Sequence, residues 1–447
     1  MEVKPGYKLT EVGVIPEDWE VKRLGDVGFF TNGLNKDSAS FGHGYPFVNL
    51  NDVFGVNMIS GSDHLGLVAS TPAEQSIYNL RKGDVLFIRS SVKPSGVGLT
   101  AVLQHDLLHT VFSGFIIRFR DDNRINLSFK RHCFYSTQFR ELLISKSSAS
   151  ANTNINQESL KDLLLALPPL PEQTAIATAL SDVDSLISSL DALIAKKKQI
   201  KQGAMQELLS GKRRLPGFSG EREVKRLGEL FYFSGGLSAS REQLSHNGYC
   251  YLHYGDIHLS RKTFIETTNE YNNIPKLEIT ISRIPQDALL KDGDIVFVDA
   301  SEDDEGTSKH VVISNPSGIP FISGLHTIVG KSKNIFLDNL FKRYCFQSWE
   351  IKRQFRFFSV GTKVSGINKS NIVKVLLSVP PLPEQQAIAT ILSDMDVEIT
   401  TLESRRDKTR LLKQGMMQEL LTGRIRLPIE QHSTVSDRTK PTVGMLQ

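Results

Sequence analysis

The sequence predicts a mixed α/β protein in which two globular domains are joined by two long antiparallel coiled-coil helices. The first observation is an internal repeat, because residues 167–216 and 379–428 align without a gap and share 29 identical positions. The second is that the regions before these segments carry short β-rich runs punctuated by Gly, Asn and Ser, with helical stretches near their ends. A chain of 447 residues is also long enough for two or more domains.

The repeat continues upstream at lower density. The stretch EVKRLG begins at Glu20 and again at Glu223, and LRKGDVLFI from Leu80 matches LKDGDIVFV from Leu290. The offset between the copies grows from 203 to 210 to 212 residues, so loops changed in length while the scaffold was retained. In chain order the predicted parts are a first globular domain at 1–166, a first helix at 167–216, a second globular domain at 217–378, a second helix at 379–428 and a tail at 429–447 that we expect to be disordered.

Each repeated segment has the pattern of a long helix. It begins with Pro at the first helical position and Glu beside the positive end of the helix dipole, and it stops at Gly211 or Gly423. Apolar side chains alternate in steps of four and three residues, which is the narrow seam of a coiled coil. The seam positions are Ile176, Leu180, Val183, Ile187, Leu190 and Ile194 in the first copy, and Ile388, Leu392, Met395, Ile399 and Leu402 in the second. Because a globular domain separates them, the two helices are predicted to pair in antiparallel fashion, as a stiff spacer about 60 Å long.

Composition and cysteine usage make several protein classes poor candidates. The N-terminus lacks a signal-peptide layout and no run of 18 apolar residues occurs, so we expect a cytoplasmic protein with no membrane partner. Cys133, Cys250 and Cys345 form no Cys-x-x-Cys pair and no Cys/His cluster, which argues against disulfide and zinc frameworks. Cys133 and Cys345 occupy equivalent repeat positions and are expected to be buried thiols. The net charge of +4 permits binding to nucleic acid without the dense basic character of a domain that relies on phosphate neutralisation.

The sequence carries no convincing catalytic set. The stretch GLHTIVGKS from Gly324 to Ser332 imitates a phosphate-binding loop, but five residues separate its glycines where four are required, so Lys331 is expected to be a solvated charge. The acidic run ASEDDEGTSK, with Asp294 and Asp299 nearby, has no acidic counterpart in the first half of the chain, which favours a surface loop over a metal site. An enzyme is therefore the weaker hypothesis.

One family combines these features. A GDVLFI strand with a Ser/Gly loop, a stretch ending NTNINQESLKDLLLALPPLPEQ, and a heptad helix ending QGAMQELLSG occur in this order and recur in the second half. This arrangement resembles the specificity subunit of type I restriction-modification systems. The resemblance covers the chain from about Leu9 to about Pro428, and the duplicated PPLPEQ block is its most specific part.

The resemblance implies that the two variable regions are target recognition domains of a non-catalytic subunit that reads double-stranded DNA. It implies two methyltransferase subunits and restriction subunits as partners, and it assigns methyl donor, ATP and magnesium to those partners, so this chain would hold no cofactor. Two half-sites require two readers at a fixed distance and rotational phase, which stiff helices supply and a flexible linker does not. The doubled PPLPEQ block would then dock the same partner twice, and the matching residues Glu172, Glu384, Gln206 and Gln418 are expected to be exposed.

Base discrimination in the major groove uses Arg or Lys on guanine and Asn or Gln on adenine, carried on loops or helix ends. The candidate base-reading residues of the first domain are Asn32, Asn35, Lys36, Arg89, Ser90, Ser91, Lys93 and Ser95. Those of the second domain are Ser238, Ser240, Arg241, Ser301, Thr307, Ser308, Lys309 and His310. The candidates for phosphate contacts are Lys146, Asn152, Asn154, Lys363 and Asn368. Because the two sets differ, the sequence predicts an asymmetric target.

Two alternatives from other classes remain open at this point. One is a DNA methyltransferase or nuclease whose catalytic motifs depart from familiar patterns, and such an enzyme would transfer methyl groups without partner subunits. The other is a coiled-coil adaptor with no role on DNA, and this adaptor would not distinguish a bipartite DNA sequence from a scrambled one.

Overall fold

The computed structural model describes residues 3–149, 152–258, 260, 262–301, 309–359 and 365–428. The chain divides into two compact units. Unit 1 comprises residues 1–190 and 405–447, and unit 2 comprises residues 191–404. Each unit therefore contains one globular region together with a part of each of the two long helices.

The first half of the chain contains fifteen strands among its described residues, and all but two are five residues long or shorter. They are β1 (Tyr7–Thr10), β2 (Gly13–Pro16), β3 (Glu20–Arg23), β4 (Gly28–Asn32), β5 (Phe41–Val48), β6 (Met58–Ile59), β7 (Gly66–Val68), β8 (Val85–Ile88), β9 (Ser90–Ser91), β10 (Thr100–Leu103), β11 (Val111–Phe112), β12 (Ile116–Asp121), β13 (Ser148–Ala149), β14 (Thr153–Asn154) and β15 (Leu164–Leu167). The helices are α1 (Leu24–Val27), α2 (Leu50–Val53), α3 (Pro72–Ile77), α4 (Leu127–Cys133), α5 (Thr137–Ser145), α6 (Gln157–Lys161) and the long α7 (Leu170–Ser210).

The second half repeats this succession of elements. Its strands are β16 (Glu223–Arg226), β17 (Phe231–Gly235), β18 (Leu244–Ser245), β19 (Tyr249–Leu252), β20 (Phe264–Glu266), β21 (Lys276–Leu277), β22 (Ile295–Val298), β23 (Ala300–Ser301), β24 (His310–Ser314), β25 (Phe321–Ser323), β26 (Thr327–Ser332), β27 (Ser365–Gly366) and β28 (Leu376–Val379). Its helices are α8 (Leu227–Leu230), α9 (Tyr254–His258), α10 (Thr267–Glu270), α11 (Asn339–Cys345), α12 (Trp349–Phe358), α13 (Lys369–Ile372) and the long α14 (Leu382–Leu420). Across the described ranges, no helix combines the length and apolar character needed to cross a membrane.

A five-stranded sheet forms the centre of unit 1. Its strand order is β4-β12-β8-β10-β6, and the neighbours are antiparallel except for β10 and β6. Strands β8 and β10 are buried along their whole length, so their sequences VLFI and TAVL lack the alternation of strands with one wet face. Phe87 and Phe119 of this sheet pack with Phe134, which lies immediately after α4.

Unit 2 contains the same sheet. Its order is β17-β26-β22-β24-β20, and again only the outermost pair, β20 and β24, is parallel. Phe297 packs with Phe346, which follows α11, as its counterpart does in unit 1. The predicted fold class, a repeated mixed α/β domain combined with two long helices, is confirmed.

The long helices run antiparallel within each unit. In unit 1 Lys413 of α14 pairs with Asp184 of α7 at 2.7 Å, and the start of α7 shares a core with the end of α14. In unit 2 Lys201 pairs with Asp396 and Lys197 pairs with Glu398, so positions on one helix fall as those on the other rise. Opposite charges beside an apolar seam are the pattern that sets orientation in coiled coils.

The seam positions differ in how far they are buried. The buried ones are Ile176, Leu180, Leu190, Ile194, Ile388, Leu392 and Ile399. The partly exposed ones are Val183, Ile187, Met395 and Leu402. Both helices stop as glycine punctuation indicates, since Gly211 and Gly423 adopt φ values of 78° and 69° just beyond the helix ends.

The glutamates of the two PPLPEQ blocks are not exposed, which corrects the expectation drawn from their identity. In unit 1 the Glu172 carboxylate has no solvent-accessible surface; it accepts hydrogen bonds from Trp19 Nε1 at 2.9 Å and from Arg426 Nε at 2.8 Å. In unit 2 the Glu384 carboxylate is equally buried and accepts from Arg214 Nε at 3.1 Å and from Arg222 Nη2 at 2.7 Å.

These contacts have an electrostatic consequence. Burial by itself would raise the pKa of Glu384, but hydrogen bonds from Arg214 and Arg222 outweigh it and hold the pKa below its usual value. The hydrogen bonds that Arg426 donates to the Glu172 and Asp18 carboxylates raise the pKa of Arg426. Both carboxylates are therefore buried and paired with arginine, and internal packing accounts for the match between the two copies.

The adjacent glutamines also have internal roles. Gln173 accepts a hydrogen bond from the backbone N–H of Asn126 at 2.7 Å and donates to the carbonyl oxygen of Pro168 at 2.9 Å. Gln385 makes the equivalent bonds to Asp338 at 2.9 Å and to Pro380 at 2.9 Å. Asn126 and Asp338 cap α4 and α11, so each glutamine ties the start of a long helix to the start of a domain helix.

Three further expectations concern single residues. Cys133 and Cys345 are buried, as expected, and burial raises the pKa of both thiols. Lys331 is not a solvated charge, because its Nζ lies 3.1 Å from the Asp294 carboxylate and donates to the Leu289 carbonyl oxygen at 2.6 Å. In the stretch GLHTIVGKS, which resembles a phosphate-binding loop in sequence, the residues Thr327–Ser332 form strand β26.

Candidate nucleic-acid interface

One edge of the five-stranded sheet in unit 1 collects the loops that carry most of the predicted DNA-contacting residues. Strands β4 and β8 are both antiparallel to β12. The C-terminal ends of β4 and β8 therefore lie at the same edge as the N-terminal end of β12. We call the loops at residues 33–40, 49–51, 89–96 and 113–115 the loop edge of unit 1.

Backbone hydrogen bonds hold these loops together. Arg89 N–H donates to the Phe115 carbonyl oxygen at 2.9 Å, and Ile155 N–H donates to the Arg89 carbonyl oxygen at 2.9 Å. Leu34 N–H donates to Phe112 O at 2.8 Å. Side chains at the loop edge are therefore free to vary without loss of the bonds that position them.

A cavity of about 550 Å³ opens at the loop edge of unit 1. Predicted residues that line it are Ser90, Ser91, Lys93, Ser95 and Asn152. Three apolar side chains lie beside them and remain exposed, namely Phe54, Val92 and Phe115, at 53%, 81% and 59%. The sequence did not indicate this apolar component, because an aromatic residue in a loop carries no signal of whether it is exposed.

The other predicted residues of unit 1 are placed around this edge. Asn32 and Asn35 are exposed, and a Cβ at Gly114 would lie within 1.9 Å of the Asn35 amide, so Asn35 rests directly on the loop at 113–115. Lys36 is mostly covered and pairs with Glu74 at 2.7 Å. This contact and a bond to Thr71 lower the pKa of Glu74.

The three candidates for phosphate contacts in this unit differ in their environment. Lys146 is exposed and lies 3.7 Å from the Asp162 carboxylate, in a weak surface ion pair. Asn154 donates to the Asn152 carbonyl oxygen at 2.9 Å. Ser90 and Ser91 of β9 pair in antiparallel fashion with Asn154 and Thr153 of β14. This backbone pairing brings the segment around Asn152 to the loop edge.

Unit 2 has an equivalent loop edge, formed by loops at 236–243, 253–258, 299–301 and 324–326. Asp299 N–H donates to the His326 carbonyl oxygen at 3.2 Å, and Ile367 N–H donates to Asp299 O at 2.7 Å. These bonds repeat those of Arg89 and Phe115 in unit 1. The backbone scaffold is thus the same in both units. At the positions that make these bonds, unit 2 has Asp299 where unit 1 has Arg89, and His326 where unit 1 has Phe115.

Several polar aromatic side chains meet at the loop edge of unit 2, and sequence reasoning missed them. The rings of His253 and Tyr254 lie 4.6 Å apart, and those of Tyr254 and His326 lie 5.4 Å apart. Burial, and then the charge of Arg241, lower the pKa of His253. Burial raises the pKa of Asp299 although His326 Nδ1 lies 3.3 Å from its carboxylate.

The predicted residues of unit 2 fall into three groups. Ser238, Ser240 and Arg241 are exposed on the first loop of the edge. Lys309 is partly buried and donates to the His258 carbonyl oxygen at 2.6 Å, whereas His310 is 5% exposed and packs against aromatic rings of the core. That burial argues against a contact between His310 and DNA. The remainder are Asn368, which caps α13, Ser301, whose backbone alone is described, and Thr307, Ser308 and Lys363, which lie outside the described residues, as does the tail at 429–447.

Neither loop edge contains a metal site within the described ranges, since no group of three or more His, Cys, Asp or Glu side chains suited to a metal ion occurs there. The exposed donors, amides and aromatic faces are groups that form hydrogen bonds and stacking contacts with bases. Two loop edges on one scaffold, with different side chains, can therefore recognise two different sequences.

Comparison with known proteins agrees with this arrangement. A family model for the type I restriction modification DNA specificity domain matches the chain twice, over residues 16–202 and 220–411. The putative type I restriction enzyme MjaX specificity subunit of Methanocaldococcus jannaschii is 28% identical over 438 residues, which cover 94% of this chain and 97% of that protein. The type I restriction enzyme MjaVIII specificity subunit of the same organism is 24% identical over 432 residues, covering 92% and 94%.

Solved structures share the fold. The S subunit of a type I restriction-modification system from M. genitalium aligns with a TM-score of 0.52 at 13% identity, covering 94% of this chain and 98% of that one. A chain from a structure that describes complex assembly and conformational transition of the type I R-M system aligns with a TM-score of 0.55 at 15% identity, covering 92% and 99%.

A repeated α/β scaffold that presents two unlike loop edges defines a two-domain DNA-recognition protein. The matched domain is one of DNA recognition and not of catalysis. The chain belongs to the type I restriction-modification DNA specificity family: it is a non-catalytic specificity subunit that recognises DNA through its two domains.

Proposed function

We propose that the chain reads a bipartite target in double-stranded DNA, with one half-site bound at the loop edge of each unit. The observation that carries this proposal is the pair of equivalent loop edges, held by the same backbone bonds and furnished with different side chains. Unit 1 presents exposed apolar side chains, serines and Lys93, whereas unit 2 presents an arginine, histidines and carboxylates. The two half-sites accordingly differ in sequence.

The functional domains follow the repeat. We assign the recognition domains to residues 1–166 and 217–378 and the spacer helices to 167–216 and 379–428. The antiparallel ion pairs described for each unit support helices that hold a fixed register, which is what a fixed gap between half-sites demands. Because its ligand is DNA, the chain acts in the cytoplasm.

The partners in this proposal are two methyltransferase subunits and the restriction subunits of the complex. Two copies of a repeated helix offer a similar surface twice, so one kind of subunit can bind at both. The matched glutamates do not contribute to that surface because they are buried. The exposed positions of α7 and α14 are the ones available, and they include Gln418 and the partly exposed Gln206.

A domain exchange tests the assignment of half-sites. Residues 20–160 are replaced by those of a related subunit, the methyltransferase subunits are supplied, and N6-methyladenine is mapped across a genome. One half of the target should change and the other should stay. A change in both halves, or in neither, would contradict the assignment.

A matched pair of insertions tests the spacer. Both long helices pass from one unit to the other at Leu190/Asp191 and Ser404/Arg405. Four residues inserted after Leu190 and four after Ser404 would lengthen both helices by about 6 Å while retaining the antiparallel pairs inside each unit. The gap between half-sites should grow with unchanged half-site sequences. An unchanged gap would show that the helices do not set the spacing.

A further inference from the structure

An arginine and a carboxylate from two different loops meet at the loop edge of unit 2. Arg241 Nη2 donates to Asp256 Oδ1 at 2.7 Å, and the two side chains are 54% and 31% exposed. Arg241 belongs to the loop that follows β17, and Asp256 belongs to α9, which follows β19. The contact therefore joins two loops at the place where the proposed function puts the DNA.

A third residue fixes the plane of the guanidinium. His253 Nδ1 accepts a hydrogen bond from the Gly255 N–H at 3.1 Å, so this ring nitrogen carries no proton, and Arg241 Nη2 lies 3.4 Å from it. Gly255 allows this approach, because a Cβ at that position would lie 3.1 Å from Arg241 Nη2. Within the part of the chain that the structure describes, the hydrogen-bond contacts of Arg241 use Nη2, so Nε and Nη1 can donate to a ligand.

The loop that carries Arg241 is anchored in the interior of the unit. The hydroxyl of Tyr251, a side chain with no exposed surface, donates to Leu237 O at 2.7 Å and accepts from Ala239 N–H at 3.1 Å. The same hydroxyl accepts from Leu325 N–H at 3.0 Å, so one buried group positions two loops of the edge. Because these two loops are already ordered before DNA binds, less conformational entropy is lost on binding.

The pairing favours a base over a phosphate as the ligand. A phosphate is attracted by net positive charge, and the carboxylate of Asp256 offsets the charge of Arg241. The directional N–H donors on Nε and Nη1 remain, and either can donate to the O6 or N7 acceptor that guanine presents in the major groove. An arginine held from behind by a carboxylate is thus suited to discriminate a base edge.

We infer that Arg241, oriented by Asp256, reads a guanine in the half-site bound by unit 2. Arg241 makes the base contact, and Asp256 is a positioning residue that sets the plane of the guanidinium. This inference rests on the proposed function, since it requires the loop edge of unit 2 to contact DNA.

The test uses the full chain assembled with its methyltransferase subunits and a DNA library in which the half-site of unit 2 is randomised. Methylation of each sequence is counted by sequencing. The wild-type complex should prefer guanine at one position by about 5- to 150-fold, the range of a good side-chain contact with a base edge. Arg241→Gln should abolish this preference at that position alone, and Asp256→Asn should weaken it about tenfold while the other positions keep their preferences.

Lys333→Gln is the matched control. Lys333 follows β26 at the opposite edge of the same sheet, where its Nζ donates to the Gly228 carbonyl oxygen at 2.6 Å. Its loss should leave every base preference unchanged. Thermal unfolding of each variant complex reports whether unit 2 is intact, and retained preference at the half-site of unit 1 reports the same within the methylation assay.

Three results would overturn the inference. One is a half-site of unit 2 without a required guanine. The second is a uniform fall in methylation across all sequences in both variants, which is the signature of a phosphate contact. The third is a preference that neither variant changes. A wild-type complex with no bipartite preference at all would instead defeat the proposed function itself.

Discussion

Replacement of His132 by tyrosine should remove a pH-dependent loss of stability from unit 1. His132 lies on α4 with 1% of its surface exposed, and its Nε2 lies 3.4 Å from the Ser181 hydroxyl on α7. Burial, and then the charges of Lys413 and Arg131, lower the pKa of His132 to about 4 against the opposing pull of Asp184. The imidazole is therefore neutral in the folded unit at pH 7.

The sign and size of the effect follow from proton linkage. In the unfolded chain the histidine has its ordinary pKa of 6.5, so between pH 6.5 and about 4 the unfolded state binds a proton that the folded state does not. The stability contributed by the neutral imidazole is present above pH 6.5 and is lost as the pH falls towards 4. One pKa unit corresponds to about 1.4 kcal/mol, so the full loss approaches about 3 kcal/mol, and about 2 kcal/mol of it falls between pH 7 and pH 5.

The chain supplies its own control for this prediction. In unit 2 the equivalent residue is Tyr344, whose hydroxyl donates to Asp396 Oδ2 at 2.9 Å. Asp184 occupies the equivalent position in unit 1, and its Oδ2 is buried without a hydrogen-bond partner among the described residues. A tyrosine at position 132 would thus find an acceptor in place. The reciprocal change, Tyr344→His, should transfer the pH dependence to unit 2.

Hydrogen exchange of the full-length chain, followed by mass spectrometry at pH 5, 6 and 7 and corrected for intrinsic rates, measures the opening free energy of each unit separately. Helix α4 of the wild type should lose about 2 kcal/mol more between pH 7 and pH 5 than α4 of the His132→Tyr variant. Equal losses in the two proteins would refute the reasoning, because every other titrating group is common to both.

Three further predictions concern contacts that hold each unit. Arg426→Met leaves the buried Glu172 carboxylate without its ionic partner and should destabilise unit 1 by about 3 kcal/mol in urea unfolding; a loss under about 1 kcal/mol would contradict the assigned pairing. Gly33→Ala and Gly236→Ala place a Cβ within 2.0 Å and 1.9 Å of a carbonyl oxygen on the neighbouring loop, so each should weaken sequence-dependent methylation through its own half-site, and full retention of both preferences would count against the loop edges as the DNA-contacting surface. Tyr251→Phe removes a hydroxyl with three backbone partners and should cost about 1–3 kcal/mol, visible as faster exchange of the amides it accepts from.

Sequence reasoning recovered the elements whose patterns are local. The seam of the long helices repeats every seven residues, and glycines mark where they stop, so their extents follow from the chain alone. The exposure of Glu172 and Glu384 could not be judged in this way. Each is paired with an arginine more than 160 residues distant, and a carboxylate in the first turn of a helix has the same local pattern whether water or arginine surrounds it.

The loop edges show the same limit. The strand GDVLFI and the loop after it were recognised, because an apolar run followed by Ser and Gly has a local pattern. The approach of His253, Tyr254 and His326 to Arg241 depends on which strand ends lie at the same edge, and that is fixed by the order of strands in the sheet.

Some residues match between the two copies of the repeat and others differ, and this division has a structural reason in each unit. Buried ion pairs, such as Glu172 with Arg426 and Glu384 with Arg214, hold distant segments of each unit together. Loss of one partner leaves an uncompensated charge in the interior. The loops at each edge are held by main-chain bonds that any residue except proline can make. Arg89 in unit 1 and Asp299 in unit 2 hold equivalent positions and make equivalent backbone bonds. Such a difference in side chain therefore alters what a loop edge can recognise and leaves the bonds that position the loop unchanged. A protein built in this way can acquire a new DNA target through edge side chains while both cores, and the helices that join them, stay unchanged.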